Sequence, residues 1–399
     1  MTSWRAQAIE ARKAAARRPV YHIEHHGRLG NRMIQYMVAL KFQSLVPGCL
    51  ISNADLPIWG IRHPPLDMPA PVAEVRTLHQ IDLAGLAARI ASGEIGSVLS
   101  ATYGQRMENL LDVEAYRAVF RAPADEAAGF DETHLVCPVR AGDILHGGYP
   151  EYPLTPVEFY ADLAAETGLR PVFLGETQPN PYIERLRARF PHAIFLPPGG
   201  VLRDFETIRR SKNIVVGVST FTWAAAWLSH AERVFLAVSG LFNPRQYPPA
   251  MLLPFDDRRY RFYLFPVNFG VAIGNVADVH HRMSPYWRLM QGSDLRRLIE
   301  EAPRFERTLE TMLSVFDAEH YLSAYPKLAS VYPDGPLGGA RHHYENHGFF
   351  EMRSAFRFAE YWYAATYPLA AFEVAQGDYV NLEHHFAAVG RARGYRPHP

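Results

Sequence analysis

Arg140, Gly142 and Asp143 stand together just after an apolar run, His134-Leu135-Val136-Cys137-Pro138-Val139. The run reads as a buried strand, so these residues fall where the strand's carboxyl end meets solvent. Open α/β sheets bind ligands at that end. Arg140 can present a planar fork of donors to a phosphate. Gly142 lets backbone approach a ligand closely. Asp143 can orient Arg140, hold a ribose hydroxyl or accept a proton. A plain strand-end salt bridge is the other reading. A second candidate is Gly27-Arg28-Leu29-Gly30-Asn31, between an alternating stretch (20–26) and a segment apolar at helical spacing (32–42). Backbone N–H groups at such a helix start can bind an anion, although two glycines in a turn carry little weight alone.

The elements that would position these residues follow from periodicity. In the second half, strands are predicted over 135–139, 171–174, 193–196, 213–218 and 233–238. Helices are predicted between them over 156–166, 182–190, 202–210 and 221–229. Short apolar strands alternating with helices imply a parallel sheet covered on both faces. The first half offers strands over 20–26, 50–53 and 96–103, with helices over 32–42, 83–91 and 113–120. Proline-dense 56–75 reads as a loop, 123–130 as a small polar joint between two halves, and 240–285 as weakly periodic. A helix is expected over 294–313.

The chain has 399 residues, enough for two or three domains, and 41 basic side chains balance 41 acidic ones. That balance does not point to nucleic acid. Two cysteines, Cys49 and Cys137, make no disulfide framework and fit a reducing compartment. Residues 1–18 read as a basic, alanine-rich leading helix without the apolar core of a signal peptide. No apolar run reaches the roughly 18 residues needed to span a membrane.

The C-terminal part contains a duplication. Phe316 and Phe358 differ by 42, as do Tyr321 and Tyr363, Tyr325 and Tyr367, and Pro326 and Pro368. His342-His343-Tyr344 matches His384-His385-Phe386 at the same offset, and Gly348 matches Gly390. One ungapped offset carrying so many matches marks a repeated unit, expected as a pair of short helices with an aromatic face. Histidines at repeated positions (His342, His343, His384, His385, beside His347) read as repeated packing rather than metal ligands. The unit resembles a small repeat found beside bacterial glycosyltransferase domains, which opens with Phe-Asp…Tyr-Leu and ends with His-Tyr…Gly.

Four segments carry a further resemblance. Gly27-Arg28-Leu29-Gly30-Asn31-Arg32-Met33-Ile34-Gln35-Tyr36 resembles the Gly-x-Leu-Gly-Asn-Gln-Met-Phe-Gln-Tyr opening of α-1,2-fucosyltransferases. Val139-Arg140-Ala141-Gly142-Asp143 is similar to the His-x-Arg-Arg-x-Asp motif of the wider fucosyltransferase superfamily. Ser219-Thr220-Phe221-Thr222-Trp223-Ala224-Ala225-Ala226-Trp227-Leu228 resembles that family's Ser-Ser-Phe-Ser-Trp-Trp-x-Ala-Trp-Leu. Tyr103-Gly104-Gln105 is similar to its Tyr/Trp-x-Gln. Order and spacing agree over about residues 20–245, and the Ser219 segment is the most specific. Two family positions differ, because Pro138 stands for the histidine and Ala141 for the second arginine.

The resemblance implies an α/β, GT-B-like fold of two Rossmann-like domains facing a cleft, plus a small C-terminal α-helical repeat region. Residues 1–128 would form the acceptor-side domain, 129–310 the nucleotide-sugar-binding domain with a linker helix, and 311–399 the repeat module. The expected reaction is an inverting transfer from GDP-fucose to a glycan hydroxyl in cell-surface polysaccharide or lipopolysaccharide assembly, without metal or cofactor. Pro138 and Ala141 leave another GDP-sugar open as donor; a protein acceptor and a non-catalytic glycan-binding protein are the other readings. Positive side chains and aimed N–H groups must then stabilise the leaving pyrophosphate. Arg140 is the first candidate. Ser219 and Thr220, where a strand meets a helix, would hold the same phosphates with the amides of Thr220 and Phe221. Gly30 and Asn31 would approach the pyrophosphate and sugar from the facing domain. Asp204 or Glu206 would meet the guanine. Candidate general bases are His146 and Glu151, in the loop with Gly147-Gly148, or Glu24, His25 and His26. The Phe221, Trp223 and Trp227 rings read mainly as core. The expected setting is cytoplasmic, at the inner face of the membrane, with contact to membrane or protein through the N-terminal helix or the C-terminal repeats.

Overall fold

A computed structural model describes residues 18–121, 127, 129–146, 152–244, 247, 249–265, 287–300, 307–328, 336–351, 353–375 and 378–399. The expected leading helix and most of the joint at 123–130 lie outside them. Contacts divide the chain into two compact units. The first takes Met1–Glu126 together with Trp223–Leu228 and Pro249–Leu252. The second takes Ala127–Thr222, Ser229–Pro248 and Leu253–Pro399, so the repeats cluster with the second α/β layer system.

In the first unit, β1 (Val20–Ile23) leads through α1 (Leu29–Leu45) to β2 (Leu50–Ser52). Helix α1 buries Met33, Ile34, Met37, Val38 and Phe42, the three-and-four spacing of a helix packed on a sheet. The proline-rich 56–75 stretch is not simply a loop. It overlaps a hairpin, β3 (Ala54–Leu56) with β4 (Ile61–His63), and contains β5 (Val72–Val75). Proline masks short strands because they need few ladder hydrogen bonds and lie at edges. Helix α2 (Leu83–Ala91) precedes β6 (Ser97–Ser100), and α3 (Val113–Arg117) follows. The sheet order is β2-β1-β6-β5, all parallel. Trp223 belongs to this core, its indole N–H donating to Leu252 O at 2.7 Å and its ring stacked on Trp227.

The second unit alternates as expected: β7 (His134–Val139), α4 (Val157–Thr167), β8 (Arg170–Gly175), α5 (Pro181–Arg189), β9 (Ile194–Phe195), α6 (Val201–Arg210), β10 (Asn213–Val216), α7 (Thr220–Trp227, ending in the first unit) and β11 (Arg233–Val238). Two further strands, β12 (Tyr260–Leu264) and β13 (Arg288–Met290), lie in or beside the stretch that showed little periodicity. The order is β13-β12-β11-β10-β7-β8-β9, with β13 alone antiparallel. The chain thus runs outward from β7 through β8 to β9, then returns to β10 on the other side of β7. This is the doubly wound order, with its switch between β7 and β10. Helix α8 (Gly292–Glu300) is followed by a separate α9 (Leu309–Leu313); residues 301–306 of the helix expected over 294–313 lie outside the described set. Among the described residues no helix is long and apolar enough to cross a membrane.

The duplication is a structural repeat. The first copy contains α10 (Ala318–Ala324) and α11 (Pro336–His343), which runs into a π-helical turn at Tyr344–Gly348. The second contains α12 (Glu360–Thr366), α13 (Pro368–Ala375) and α14 (Leu382–His385), which runs into a π-helical turn at Phe386–Gly390. In place of the expected helix pair, the described residues of the second copy form three helices, α13 starting at Pro368 directly after Tyr367, and in the first copy Lys327 and Leu328, directly after Pro326, are helical too. Contacts recur at the offset of 42. Tyr321 Oη lies 3.0 Å from His343 Nδ1, and Tyr363 Oη 2.8 Å from His385 Nδ1. Asp317 N donates to Ala355 O, as Ala359 N does to Pro397 O. His343 and His385 are therefore partners of buried tyrosines, and no group of three His, Cys, Asp or Glu suited to a metal occurs among the described residues.

Gly390 shows why the pattern keeps its glycine. A Cβ there would lie 2.3 Å from Tyr363 Oη. Gly390→Ala is expected to lower stability by about 2 kcal/mol through overpacking, and Tyr363→Phe in that background should recover part of the loss in thermal unfolding. No recovery would show that the hydroxyl is not the obstacle.

Glu383 joins the two copies, accepting from Ala355 N at 2.7 Å and Ser354 Oγ at 3.2 Å. Burial lifts its pKa from 4.5 to about 7, against the opposing pull of Ala355 N–H, Arg307 and Ser354. The folded state therefore holds this proton more tightly than the unfolded chain. The associated stability is present below pH 4.5 and is lost as pH rises through 7, about 3 kcal/mol in all. Glu383→Gln should flatten that part of the stability–pH curve; an unchanged slope would refute the assignment.

Candidate functional site

The carboxyl ends of β7 and β10 flank the switch point of the larger sheet, where open α/β sheets have their ligand crevice. A narrow cleft lies there, lined by Pro138, Arg140, Thr155, Gly217, Ser219 and Thr222 among others. Pro138 helps to open it. Proline has no N–H to offer a neighbour, and the registered pairing of β7 with β10 is limited to Val136 and Ile214, whereas β7 pairs with β8 as far as Val139.

Arg140 is partly buried at the strand end. Its Nε donates to Asp143 Oδ1 at 3.2 Å and its Nη2 to Asp143 Oδ2 at 2.8 Å. Its guanidinium lies 4.5 Å over the Tyr152 ring, a cation–π arrangement. Burial works against its charge, but Asp143, Tyr152 and Glu176 outweigh this and the pKa is raised. The result is a fixed cation with a planar fork at the cleft wall. Gly142 has a role within the protein itself. A Cβ there would lie 3.0 Å from the Glu176 carboxylate, so its bareness makes room for that side chain.

Ser219 follows Gly217, where a Cβ would lie 2.7 Å from Thr155 Oγ1. Ser219 Oγ accepts a long bond from Thr222 N at 3.4 Å, at the start of α7. Arg140, Asp143 and Ser219 thus come together. Thr220 is buried at the helix start but is not among the cleft-lining residues. Phe221 is half-buried with its ring against Phe205 at 5.4 Å, which makes it a packing residue rather than a cleft wall. Asp204 also stands off the cleft lining, its pKa raised by burial against the pull of Gly199 backbone and Arg203. Glu206 is fully buried and occupied by Arg209 and Arg210. Glu151 lies outside the described residues, and only the backbone of His146 is described, in a 3₁₀ turn over Asp143–His146.

Gly30 and Asn31 belong to the first unit, in the first turn of α1 after β1. Gly27 adopts φ 72°, and a Cβ there would run into the Asn31 amide. Asn31 Oδ1 accepts from Gln105 Nε2 at 3.0 Å, tying the Gly-rich turn to the Tyr103-Gly104-Gln105 segment. Gln35 bonds both backbone groups of His26. His79, stacked on Tyr103, is held neutral, its pKa lowered to about 3 by burial and by Arg106. His25 is likewise lowered, mainly by burial. Glu24 is half-buried and lies 3.7 Å from Arg76.

Sequence reasoning missed Glu176, Thr155, Gly217 and Tyr152. Glu176 had a readable signal: it follows Gly175 at the carboxyl end of a predicted strand, as Arg140 does. Thr155 and Tyr152 come from a loop whose position depends on the fold. No protein-family model matches the chain, and no curated protein is significantly similar to it.

Proposed function

We propose that the chain is an inverting, metal-independent glycosyltransferase of the α-1,2-fucosyltransferase kind, built as a GT-B-like enzyme. It would transfer fucose from GDP-fucose to a glycan hydroxyl in cell-surface polysaccharide or lipopolysaccharide assembly at the cytoplasmic face of the membrane. The observation that supports this most is the meeting of Arg140 and Ser219 across the switch point of a doubly wound sheet. Both come from segments that resemble that family. In this reading the second unit holds GDP, and Arg140 faces the phosphate that gains charge as the glycosidic bond breaks. Preorganised charge of this kind commonly supplies more of the rate enhancement than any other single effect. Ser219 and the first amides of α7 add donors. The first unit, with its amide and imidazole cluster at Asn31, Gln105 and His79, presents the acceptor. The hydroxyl attacks the anomeric carbon opposite the leaving GDP, and a base near His146, Glu151 or His25 takes its proton.

A GDP-sugar other than GDP-fucose is the second reading, favoured by Pro138 and by the buried Ala141 where the family has histidine and arginine. Calorimetric titration with GDP-fucose, GDP-mannose, UDP-glucose and the free diphosphates separates the readings. GDP and GDP-fucose should bind, and UDP should not. Binding of UDP alone would overturn the donor assignment. GDP-sugar binding without transfer to any glycan or protein acceptor, or to water, would favour a non-catalytic glycan-binding protein.

A further inference from the structure

We propose that Glu176 and Asn180, from the loop joining β8 to α5, are positioning residues that clamp the peptide on either side of Arg140 and so aim its guanidinium. The claim that this aim serves a diphosphate rests on the function proposed above; the clamp itself does not. Glu176 grips twice. Its backbone N–H donates to Val139 O at 3.0 Å, and its carboxylate accepts from Ala141 N at 2.8 Å. The residues before and after Arg140 are thus held by one residue of the neighbouring strand end. Asn180 closes the other side, its Nδ2 donating to Ala141 O at 3.2 Å. Both backbone polar groups of Ala141, itself buried, are satisfied by side chains rather than by a sheet neighbour. A buried peptide group must find a partner somewhere, so the two side chains fix where the chain turns.

Two glycines are shaped to the same clamp. Gly175 holds φ 93°, a region that glycine enters readily, and a Cβ there would lie 2.8 Å from Val139 O. Gly142 leaves the space filled by the Glu176 carboxylate. Asn180 is itself anchored, because its Oδ1 caps α5 by accepting from Tyr182 N and Ile183 N, both at 3.0 Å. Helix α5 thereby sets the position of the donor that reaches Ala141.

The test uses the full chain and two readouts, the Arg140 Nε–Hε resonance, assigned by its absence in R140A, and GDP affinity by calorimetry. Glu176→Ala and Asn180→Asp should each move the resonance. Asn180→Asp keeps the cap oxygens but removes the donor to Ala141, so α5 stays capped. Glu176→Gln keeps an acceptor for Ala141 N–H and should leave the resonance near its original place. GDP affinity should fall about tenfold in E176A, stay within about threefold in E176Q, and fall no further when E176A is added to R140A. An unmoved resonance in both E176A and N180D would overturn the clamp. So would an E176Q shift equal to that of E176A, which would point to charge alone. If the resonances move as expected while the original protein binds no GDP, the clamp stands and the donor reading fails.

Discussion

Arg140→Ala is expected to weaken GDP binding by about 30- to 4,000-fold in calorimetric titration, the largest functional effect of any single change. Among the described residues, the β7 strand end of the second unit brings the Arg140 guanidinium together with the carboxylates of Asp143 and Glu176. In the proposed complex, removing the cation withdraws a bidentate partner from the phosphate and breaks the ion pair with the partly buried Asp143. Loss of one member of a hydrogen-bonded charge pair costs roughly 2–5 kcal/mol, and each 1.4 kcal/mol is about tenfold in affinity. Arg140→Lys should fall between, because lysine keeps the charge but not the planar fork. Unchanged GDP affinity in the alanine variant, with an intact unfolding transition, would remove Arg140 from the site.

Glu206→Ala is expected to give the largest loss of stability, about 3 kcal/mol in urea unfolding. Glu206 is fully buried on α6 and accepts from Arg209 Nε at 2.9 Å, Arg209 Nη2 at 2.7 Å and Arg210 Nε at 3.0 Å. Arg210 also reaches Ala127 O at 2.9 Å. Breaking a buried pair costs about 3–5 kcal/mol because a charge is left uncompensated. The lower end applies because both arginines keep some access to water. The exposed Glu184→Ala is the control and should stay within about 0.5 kcal/mol. Equal effects would show that Glu206 is not the centre of the network.

The elements around the site were legible because their signals are local. The apolar run ending at Val139, the helix expected over 156–166 and found over Val157–Thr167, and the Ser219 turn each follow from a few adjacent residues. Strands β3 to β5 were not legible, since three- and four-residue strands among prolines carry almost no period. Asp204 and Glu206 show the limit for site residues. Their residue type suited each to a ligand, yet Glu206 is taken by two arginines.

By itself the sequence determined that a cation, a glycine and an acid would end one strand, that Ser219 would open a helix after another, and that the C-terminal unit occurs twice. Each depends on neighbours within a few residues or on a fixed offset. Only the tertiary structure decided that β7 and β10 are adjacent across the switch point, so that Arg140 and Ser219 line one cleft. It alone showed that Glu176 and Asn180 hold Ala141. Those facts depend on strand order and on side chains far along the chain, where packing and the need to satisfy buried peptide groups decide the partner.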